Sequence, residues 1–409
     1  MSGWAELNPS PRTIMTPGPV EVDPRVLRAM SYPILGQFDP EFTSLMNDTM
    51  AMLRSLFRTD NRWAYPIDGT SRSGIEAVLV SLIEPGDKVL VPIFGRFGYL
   101  LQEIAERCGA EVTVLEKPWG SVFDPEEVIA AVRREKPDLV AIVHGETSTG
   151  RMQPLADIGR ACRELDALLV VDAVATIGGV PVEADAWCLD AVIGGTQKCL
   201  SVPSGMAPIT YNERAERKVL KRKRVERGLA TPGAAPGSGG GSVRSNYFDL
   251  GQLQDYWSPL RLNHHTEMTS MLYALREGLR IALAEGLEAR FDRHRRQEAA
   301  LVAGLRAMGL ALYGDESCKL PVVTCVDIPE GVDGESVRSL LLDSFGIEIA
   351  SSFGPLKGKI WRIGTMGYSC SRKNVLHVLG ALEAALIRHG VKVDAGAALQ
   401  AALDVYAEN

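Results

Sequence analysis

The sequence predicts an α/β fold built on a mostly parallel sheet with helices on both faces. Between residues 88 and 211, short apolar runs of strand length alternate with stretches of helical periodicity, which is typical of successive strand–helix–strand units. Polar side chains follow directly after two of these runs, as they do at the ligand-binding edge of an open α/β sheet.

The elements can be placed in chain order. An apolar-periodic helix is predicted first, at residues 41–57, and further helices lie between the strands. The predicted strands are 88–92, 111–115, 139–143, 168–171, 191–193 and 207–211, and the helices between them include 125–134 and 158–165.

A second unit is predicted after the sheet. A long helix from about Met268 leads into it, and its mixed pattern indicates a small α+β domain. Its strands are 322–327, 347–350 and 359–363, its helices are 336–342 and 373–388, and the Ala-rich tail after Val391 predicts a short amphipathic helix. The predicted organisation is a Pro-rich irregular arm at 1–25, a large domain at 26–270 and a small domain at 271–409.

Composition narrows the class of protein. The 409-residue chain has a net charge of −7, which argues against a general binder of nucleic acids or anionic membranes. Its longest apolar stretches are of strand length, so no transmembrane helix is expected, and the first residues lack the pattern of a signal peptide. Seven cysteines are scattered singly, without a CxxC motif. They predict a reduced, cytoplasmic chain without a disulfide framework.

One segment is basic, unlike the rest of this acidic chain. Residues 214–227 are rich in Lys and Arg, and residues 232–242 are nearly all Gly, Ala, Pro and Ser. The pair can be interpreted as a nucleic-acid arm with a flexible linker, or as a solvated helix face leading to a mobile surface loop. The acidic remainder of the chain favours the second interpretation.

An acid and a lysine follow two neighbouring predicted strands. Asp172 follows the strand at 168–171, and Lys198 follows the strand at 191–193. Alone, such an Asp often caps a helix and a lone Lys is usually a solvated charge. Their offset, 198 − 172 = 26 residues, is about one parallel crossover, which brings both to the same sheet edge. This pair suits pyridoxal phosphate, with its aldehyde on Lys198 and its ring nitrogen on Asp172, and Lys198 would also move the substrate proton.

Motifs along nearly the whole chain carry a family resemblance. They are Thr16-Pro-Gly-Pro19, Gly69-Thr-Ser-Arg72, Glu84-Pro-Gly-Asp87, His144-Gly-Glu-Thr-Ser-Thr-Gly150, Val171-Asp-Ala-Val174, Thr196-Gln-Lys198, His264-His-Thr266 and Trp361-Arg-Ile-Gly364. The chain resembles the fold-type I pyridoxal phosphate enzymes of aminotransferase class V, within them the alanine–glyoxylate and serine–pyruvate group. The resemblance implies a mostly parallel seven-stranded sheet and a homodimer with shared active sites, in which the N-terminal arm wraps the partner subunit.

The cofactor phosphate is expected at residues 68–74. A Gly/Ser-rich turn is most often only a helix cap, but this one offers a helix N-terminus, hydroxyls and a cation. The resemblance assigns the phosphate cup to Thr70, Ser71 and Arg72, although many relatives carry His in place of the arginine. It adds two further ligands, Gln197 and, across a subunit interface, Thr266.

The resemblance also assigns residues around the pyridine ring. Phe97 would stack on one face and Val174 would press the other, although an aromatic residue after a strand is usually only part of the core. Thr147 would hydrogen-bond the ring hydroxyl or orient Asp172. No metal site is expected, because adjacent residues such as His264 and His265 rarely direct both rings at one ion.

Three residues are expected to bind the substrate. Arg362 has the planar fork that holds a carboxylate through two hydrogen bonds. Asn263 stands where alanine–glyoxylate enzymes usually carry Tyr, and Gln37 stands where they tend to have a small residue. The two carboxamides complement a ureido group, whereas a methyl group would leave both unpaired. This pattern resembles the (S)-ureidoglycine–glyoxylate aminotransferases of purine degradation, which make oxalurate and glycine.

Three further functions are compatible with the sequence. An alanine– or serine–glyoxylate (or pyruvate) aminotransferase would keep every cofactor residue. A class V desulfurase or lyase would need a cysteine on a mobile loop, and residues 228–242 contain none. A nucleotide-binding or nucleic-acid module would use the basic run and the Gly-rich turns.

Overall fold

The computed structural model describes residues 3–226, 228–229 and 241–408. Its helices are Pro24–Ala29 (α1), Pro40–Phe57 (α2), Ser71–Leu82 (α3), Arg96–Arg107 (α4), Pro125–Glu135 (α5), Ala156–Glu164 (α6), Glu213–Arg222 (α7), Leu250–Trp257 (α8), Thr269–Glu285 (α9), Leu287–Ala307 (α10), Gly334–Phe345 (α11), Arg372–Arg388 (α12) and Ala397–Ala407 (α13). Its strands are Thr13–Ile14 (β1), Trp63–Gly69 (β2), Lys88–Ile93 (β3), Glu111–Glu116 (β4), Leu139–Val143 (β5), Gly145–Glu146 (β6), Arg151–Met152 (β7), Leu168–Asp172 (β8), Ala191–Ile193 (β9), Gly205–Tyr211 (β10), Val323–Asp327 (β11), Ile347–Glu348 (β12), Ala350–Ser351 (β13) and Ile360–Gly364 (β14).

The predicted mostly parallel seven-stranded sheet is confirmed. Its strand order is β2-β10-β9-β8-β5-β3-β4, and β10 runs antiparallel to both of its neighbours while the other pairs are parallel. Six of these strands are predicted by the sequence, and β2 is not, because Pro66 interrupts its apolar run. The proline is accommodated because β2 lies at the edge of the sheet.

Local sequence explains where the early helices begin. Asp39 caps α2 by accepting from the backbone N–H of Glu41, and Pro40 takes the first helical position. Asp124 and Glu127 form a capping box at the start of α5, again followed by proline. Both helices start within one residue of their predicted positions.

The sheet register brings two strand ends together. Asp172, the last residue of β8, pairs with Ile193, the last residue of β9, and on its other side it pairs with Val143, the last residue of β5. The carboxyl ends of these parallel strands therefore form one edge, where an α/β sheet binds its ligands.

The C-terminal unit has its own core. An antiparallel sheet with the order β11-β14-β13 contributes to an apolar cluster with α10, α11, α12 and α13. The long helix predicted from Met268 is divided in two, because Gly286 lies between α9 and α10 with a φ of 84°. The predicted strand at 347–350 is also two strands, of which β12 pairs with β1 and β13 pairs with β14.

The arm before α1 docks on this chain from Thr13 onward. Thr13 and Ile14 pair in parallel with Ile347 and Glu348, and Met15 is fully buried in the C-terminal core. The wholly irregular arm expected at 1–25 is therefore wrong for β1 and for α1. The domain limits at 270 and 271 stay a prediction, and they fall in the first turn of α9.

The described part of the basic run is a helix with intramolecular partners. In α7, Arg214 pairs with Asp190 at 3.0 Å, and Lys218 pairs with Asp87. Arg222 is buried and donates to the backbone carbonyls of Val80, Ser81 and Ile83. These contacts favour the interpretation of a surface helix. The expected mobile loop at 228–242 lies mostly outside the described residues. Within the described ranges, no helix combines the length and apolar character needed to cross a membrane.

Candidate active site

A cavity of about 360 Å³ lies at the carboxyl edge of the large sheet. Nine of the residues predicted to bind the cofactor line it: Thr70, Ser71, Arg72, Phe97, Thr147, Asp172, Val174, Gln197 and Lys198. Seven further residues complete the wall: Gly18, Pro19, Ile75, Leu100, Gly145, Ala175 and Ser204. Segments far apart in sequence thus converge on one concave site, as expected of a small-molecule site.

Lys198 lies in the cavity, in the turn after β9. Its side chain is nearly buried, and its amine donates to the backbone carbonyl of Pro17. Burial, together with the nearby charge of Arg362, lowers the pKa of Lys198 to about 8. A substantial fraction of the amine is therefore neutral near pH 7.5, which is the form that can act as a nucleophile or base.

Asp172 lies in the same cavity at the end of β8. One of its carboxylate oxygens accepts from the backbone N–H of Val174 at 3.0 Å. Burial, together with the charge of Glu146, raises the pKa of this carboxyl group to about 6. A buried carboxylate of this kind gains from a cationic partner, so Asp172 fits a protonated pyridine nitrogen.

Glu146 supports this site, and the sequence alone does not predict it. Its fully buried carboxylate accepts from the backbone N–H of Phe97 at 2.8 Å and from Ser148 at 2.9 and 2.6 Å. It thereby fixes the start of α4, where Phe97 lies. Gly95 permits the approach, since a Cβ there would lie 2.3 Å from the Glu146 side chain. The only signal in the sequence is the position of Glu146 within the motif at 144–150.

The start of α3 provides an anion site. Thr70 precedes the helix without capping it through its side chain, so the first backbone N–H groups stay available. Ser71 donates to the side-chain carbonyl of Gln197 at 3.0 Å. Gly69 has a φ of 113°, a conformation that favours glycine. With Arg72 also lining the cavity, this end of the cavity fits a phosphate group.

Aromatic and aliphatic side chains complete the cavity. Phe97 lines it at the start of α4, and Val174 and Thr147 line it after β8 and β6. Gly195 keeps the floor open, because a Cβ there would lie 2.5 Å from Ser71 Oγ and 2.7 Å from Val174 Cγ1. An amine, a carboxylate, an anion site and an aromatic wall in one cavity fit pyridoxal phosphate.

Arg362 lies beside the cavity and is not among the residues that line it. It is buried in β14, where its Nε donates to Ser351 O at 2.7 Å and its Nη1 donates to Thr147 O at 3.1 Å. Its guanidinium lies over the ring of Phe353, 4.5 Å from the centroid. Burial lowers the pKa of Arg362 to about 10, so it is charged at neutral pH. The described residues provide no acceptor for its second terminal nitrogen.

Three predicted site residues lie elsewhere. Gln37 Nε2 donates to Asn263 Oδ1 at 2.9 Å, and Gln37 Oε1 accepts from the backbone N–H of Glu267 at 3.3 Å. Asn263 and Thr266 are exposed, and none of the three lines the cavity of this chain. The fold therefore brings the two carboxamides together, but within one chain it does not bring them to Lys198.

Comparison with known proteins identifies the family. Residues 33–359 match the family model described as aminotransferase class-V. The chain is 70% identical over 407 residues to an (S)-ureidoglycine–glyoxylate transaminase of Bacillus subtilis, covering 99% of this chain and 98% of that protein. It is 35% identical to an alanine–glyoxylate aminotransferase of Rattus norvegicus, covering 92% and 87%.

Solved structures agree with the sequence comparison. The crystal structure of ureidoglycine–glyoxylate aminotransferase from B. subtilis superposes with a TM-score of 0.92 at 67% identity, covering 99% of this chain and all of that one. An alanine–glyoxylate aminotransferase from Nostoc superposes with a TM-score of 0.87 at 38% identity, covering 94% and 97%. The family expected from the motifs is confirmed, and the chain belongs to the class-V aminotransferases.

Proposed function

We propose that this protein is a pyridoxal phosphate-dependent aminotransferase that moves the amino group of (S)-ureidoglycine to glyoxylate, with oxalurate and glycine as products. The observation that carries the choice of donor is the hydrogen-bonded pair of carboxamides, Gln37 and Asn263. Both occur in a chain 70% identical to a protein described as an (S)-ureidoglycine–glyoxylate transaminase.

The residues of the cavity hold the cofactor. When bound, pyridoxal phosphate supplies an aldehyde that takes up the amino group and a ring that accepts electron density from the substrate α-carbon. The start of α3, with Thr70, Ser71 and Arg72, would hold the phosphate together with Gln197. Asp172 would hold the ring nitrogen and keep it protonated. Phe97 and Val174 would contact the two faces of the ring, and Thr147 would hydrogen-bond the ring hydroxyl or orient Asp172.

Lys198 performs the proton transfers. Its amine would hold the aldehyde of the cofactor when no substrate is bound. As a free base it would take the proton from the α-carbon of the donor and, in the second half-reaction, give a proton to the carbon that was the aldehyde carbon of glyoxylate. Its lowered pKa of about 8 suits both directions near neutral pH.

Arg362 and the carboxamides select the substrate. Arg362 binds the α-carboxylate, which donor and acceptor share. Gln37 and Asn263 bind the ureido group through their paired donors and acceptors. Because these two residues do not line the cavity of their own chain, we propose that they enter the cavity of a second copy in a two-fold dimer, together with Thr266.

Replacing Asn263 by tyrosine tests the choice of donor. The variant leaves Gln37 and the ureido group without a partner, which costs about 1–3 kcal/mol. We expect kcat/KM for ureidoglycine to fall by about 5- to 160-fold, while the rate of the alanine half-reaction stays the same or increases. The measurement is the single-turnover rate with each donor. Gln400→Tyr, on the exposed surface of α13, is the matched control. Unchanged donor preference would contradict the assignment and favour an alanine–glyoxylate aminotransferase.

The pH dependence of cofactor capture tests the environment of Lys198. Only the neutral amine adds to an aldehyde, and the pKa of Lys198 is lowered to about 8. We expect the rate at which apo-protein captures pyridoxal phosphate to rise by up to about tenfold per pH unit below this pKa and to level off above it. Stopped-flow absorbance measures the rate. A rise that continues to pH 10 would show that the lysine keeps its ordinary pKa.

A desulfurase and a nucleic-acid module are both less compatible with the structure than an aminotransferase. None of the described cysteines lines the cavity, so a desulfurase that uses a cysteine there is not favoured. The basic run, where the structure describes it, is engaged with acids and carbonyls of this chain, so a nucleic-acid module is not favoured either. A cytoplasmic location stays a prediction.

A further inference from the structure

A second group of buried polar side chains lies outside the cavity. It joins the phosphate-binding turn to the loop that carries Asn263 and Thr266. Asp68 lies at the end of β2, two residues before Thr70, and His265 and Glu267 flank Thr266. His265 Nε2 lies 3.1 Å from Asp68 Oδ2 and 3.7 Å from Glu267 Oε2. One oxygen or nitrogen from each residue lies within 4.8 Å of the others. We call these three residues the Asp–His–Glu cluster.

The cluster holds buried polar atoms that need protons. Asp68 is 5% exposed and Glu267 is 4% exposed. Asp68 Oδ2, His265 Nε2 and both carboxylate oxygens of Glu267 make no hydrogen bond of ordinary geometry. Two ionised carboxylates that are buried this close together repel each other and lose their hydration. At least one positive charge or proton must therefore lie among them.

The neighbouring hydrogen bonds locate the first proton. The backbone carbonyl of Asn246, 3.3 Å from His264 Nε2, can only accept, so His264 carries a proton there. Burial lowers the pKa of His264, so its ring is neutral and its Nδ1 accepts. His265 Nδ1, at 2.8 Å, must then donate. His265 Nδ1 therefore carries the first proton, and His265 Nε2 faces Asp68 Oδ2.

Two tyrosines beside the cluster bring no positive charge to it. Tyr256 interacts with Glu267 and Tyr247 with Asp68, and their rings lie 4.7 and 5.5 Å from that of His265. Burial raises the pKa of both hydroxyls, so they are neutral. Arg261 is directed at the carbonyls of Tyr256 and Trp257. Burial and the charge of Asp68 raise the pKa of Glu267 well above its ordinary value. Glu267 therefore holds the second proton, which it can share with Asp68.

We infer that the Asp–His–Glu cluster is a proton-sharing clamp that fixes the loop carrying Asn263 and Thr266 to the base of the phosphate-binding turn of its own chain. The clamp positions these two residues for the active site of the partner copy. This inference rests on the proposed function. Asp68, His265 and Glu267 are positioning residues, since none of them lines the cavity.

Two substitutions at Glu267 test the clamp. Glu267→Gln keeps a neutral side chain that can donate towards Asp68, so we expect its KM for ureidoglycine and its affinity for pyridoxal phosphate to stay close to those of the unmodified protein. Glu267→Ala releases the loop, and we expect both KM and the cofactor dissociation constant to rise by about 10- to 100-fold. The KM for glyoxylate, which has no ureido group, should not change. Thermal unfolding of both variants shows whether they are folded.

A hybrid dimer tests which active site the clamp serves. One chain carries Lys198→Ala and the other carries Glu267→Ala, so the only intact lysine lies on the chain with the damaged clamp. If the loop acts on the partner's active site, the site with the intact lysine is completed by the intact loop of the other chain. We then expect the KM for ureidoglycine of the unmodified protein, with half as many active sites per dimer. A KM as high as that of the Glu267→Ala homodimer would overturn the inference.

Two further results would also overturn it. If Glu267→Gln and Glu267→Ala raise KM and the cofactor dissociation constant equally, a neutral side chain that donates towards Asp68 does not preserve the clamp, and the proposed proton on Glu267 is wrong. About one divalent metal per purified chain, lost in Glu267→Gln, would mean that a metal ion supplies the positive charge. If the unmodified protein fails to use ureidoglycine, the proposed function fails, whereas the effect of the clamp on cofactor affinity can still be measured.

Discussion

Replacing Lys198 by alanine is expected to lower kcat for amino transfer by at least about 10⁴-fold. The variant loses both the amine that holds the cofactor aldehyde and the base that moves the substrate proton. No other lysine lines the cavity among the described residues. Single-turnover measurement with ureidoglycine and glyoxylate gives the rate of each half-reaction, and both should fall together.

Two comparisons make this result specific. Lys373→Ala, at an exposed position in α12, removes the same side chain away from the cavity and should leave the rate unchanged. A small primary amine added to the Lys198→Ala variant should restore part of the proton transfer, because the cavity then has room for it. Amino transfer at undiminished speed in Lys198→Ala would refute the proposed role of this lysine.

Replacing Arg362 by leucine is expected to give the second largest loss. The guanidinium is held by Ser351 O and Thr147 O and lies over Phe353, so it is already oriented when a carboxylate arrives. Loss of one partner of a buried charge pair costs about 2–5 kcal/mol, or roughly 30- to 4,000-fold in kcat/KM. We expect this loss in both half-reactions, since ureidoglycine and glyoxylate each carry the carboxylate.

Arg362→Lys is the matched control for charge. It keeps the positive charge but loses the planar fork, so its activity should lie between those of Arg362→Leu and the unmodified protein. The melting temperature must be measured as well, because Arg362→Leu leaves Ser351 O and Thr147 O without this donor. A defect confined to one half-reaction would mean that Arg362 binds something other than the shared carboxylate.

The chemistry of the large domain could be predicted because its signals are local. Asp172 ends one apolar strand and Lys198 lies in the turn after the next, and the fold needs only one crossover to bring them to the same edge. For this pair, strand periodicity and the direction of parallel strands suffice to predict a shared site. The roles of Phe97 and of the phosphate-binding turn are expected only from the family resemblance, because an aromatic residue after a strand is usually part of the core and β2, which precedes the turn, is not predicted.

Three features could not be predicted, because they depend on contacts between residues far apart in the sequence or on the position of a strand in the sheet. β2 escapes prediction because Pro66 breaks its apolar run, although an edge strand tolerates it. Glu146 resembles any polar residue of a loop until the fold buries it against the backbone N–H of Phe97. Gln37 and Asn263 are separated by 226 residues, so their mutual hydrogen bond becomes visible only in the folded chain.

The N-terminal segment from Met15 to Gly18 connects the two halves of the catalytic apparatus. Met15 O accepts from the backbone N–H of Gly364, two residues after Arg362, at 2.7 Å, and Pro17 O accepts from the Lys198 amine. A Cβ on Gly18 would lie 2.5 Å from that amine, and one on Gly364 would lie 2.2 Å from Thr16 O. One short segment thus contacts both the strand that carries Arg362 and the amine of Lys198. If these residues bind the carboxylate and the α-carbon as proposed, residues 15–18 set the distance between the two binding points.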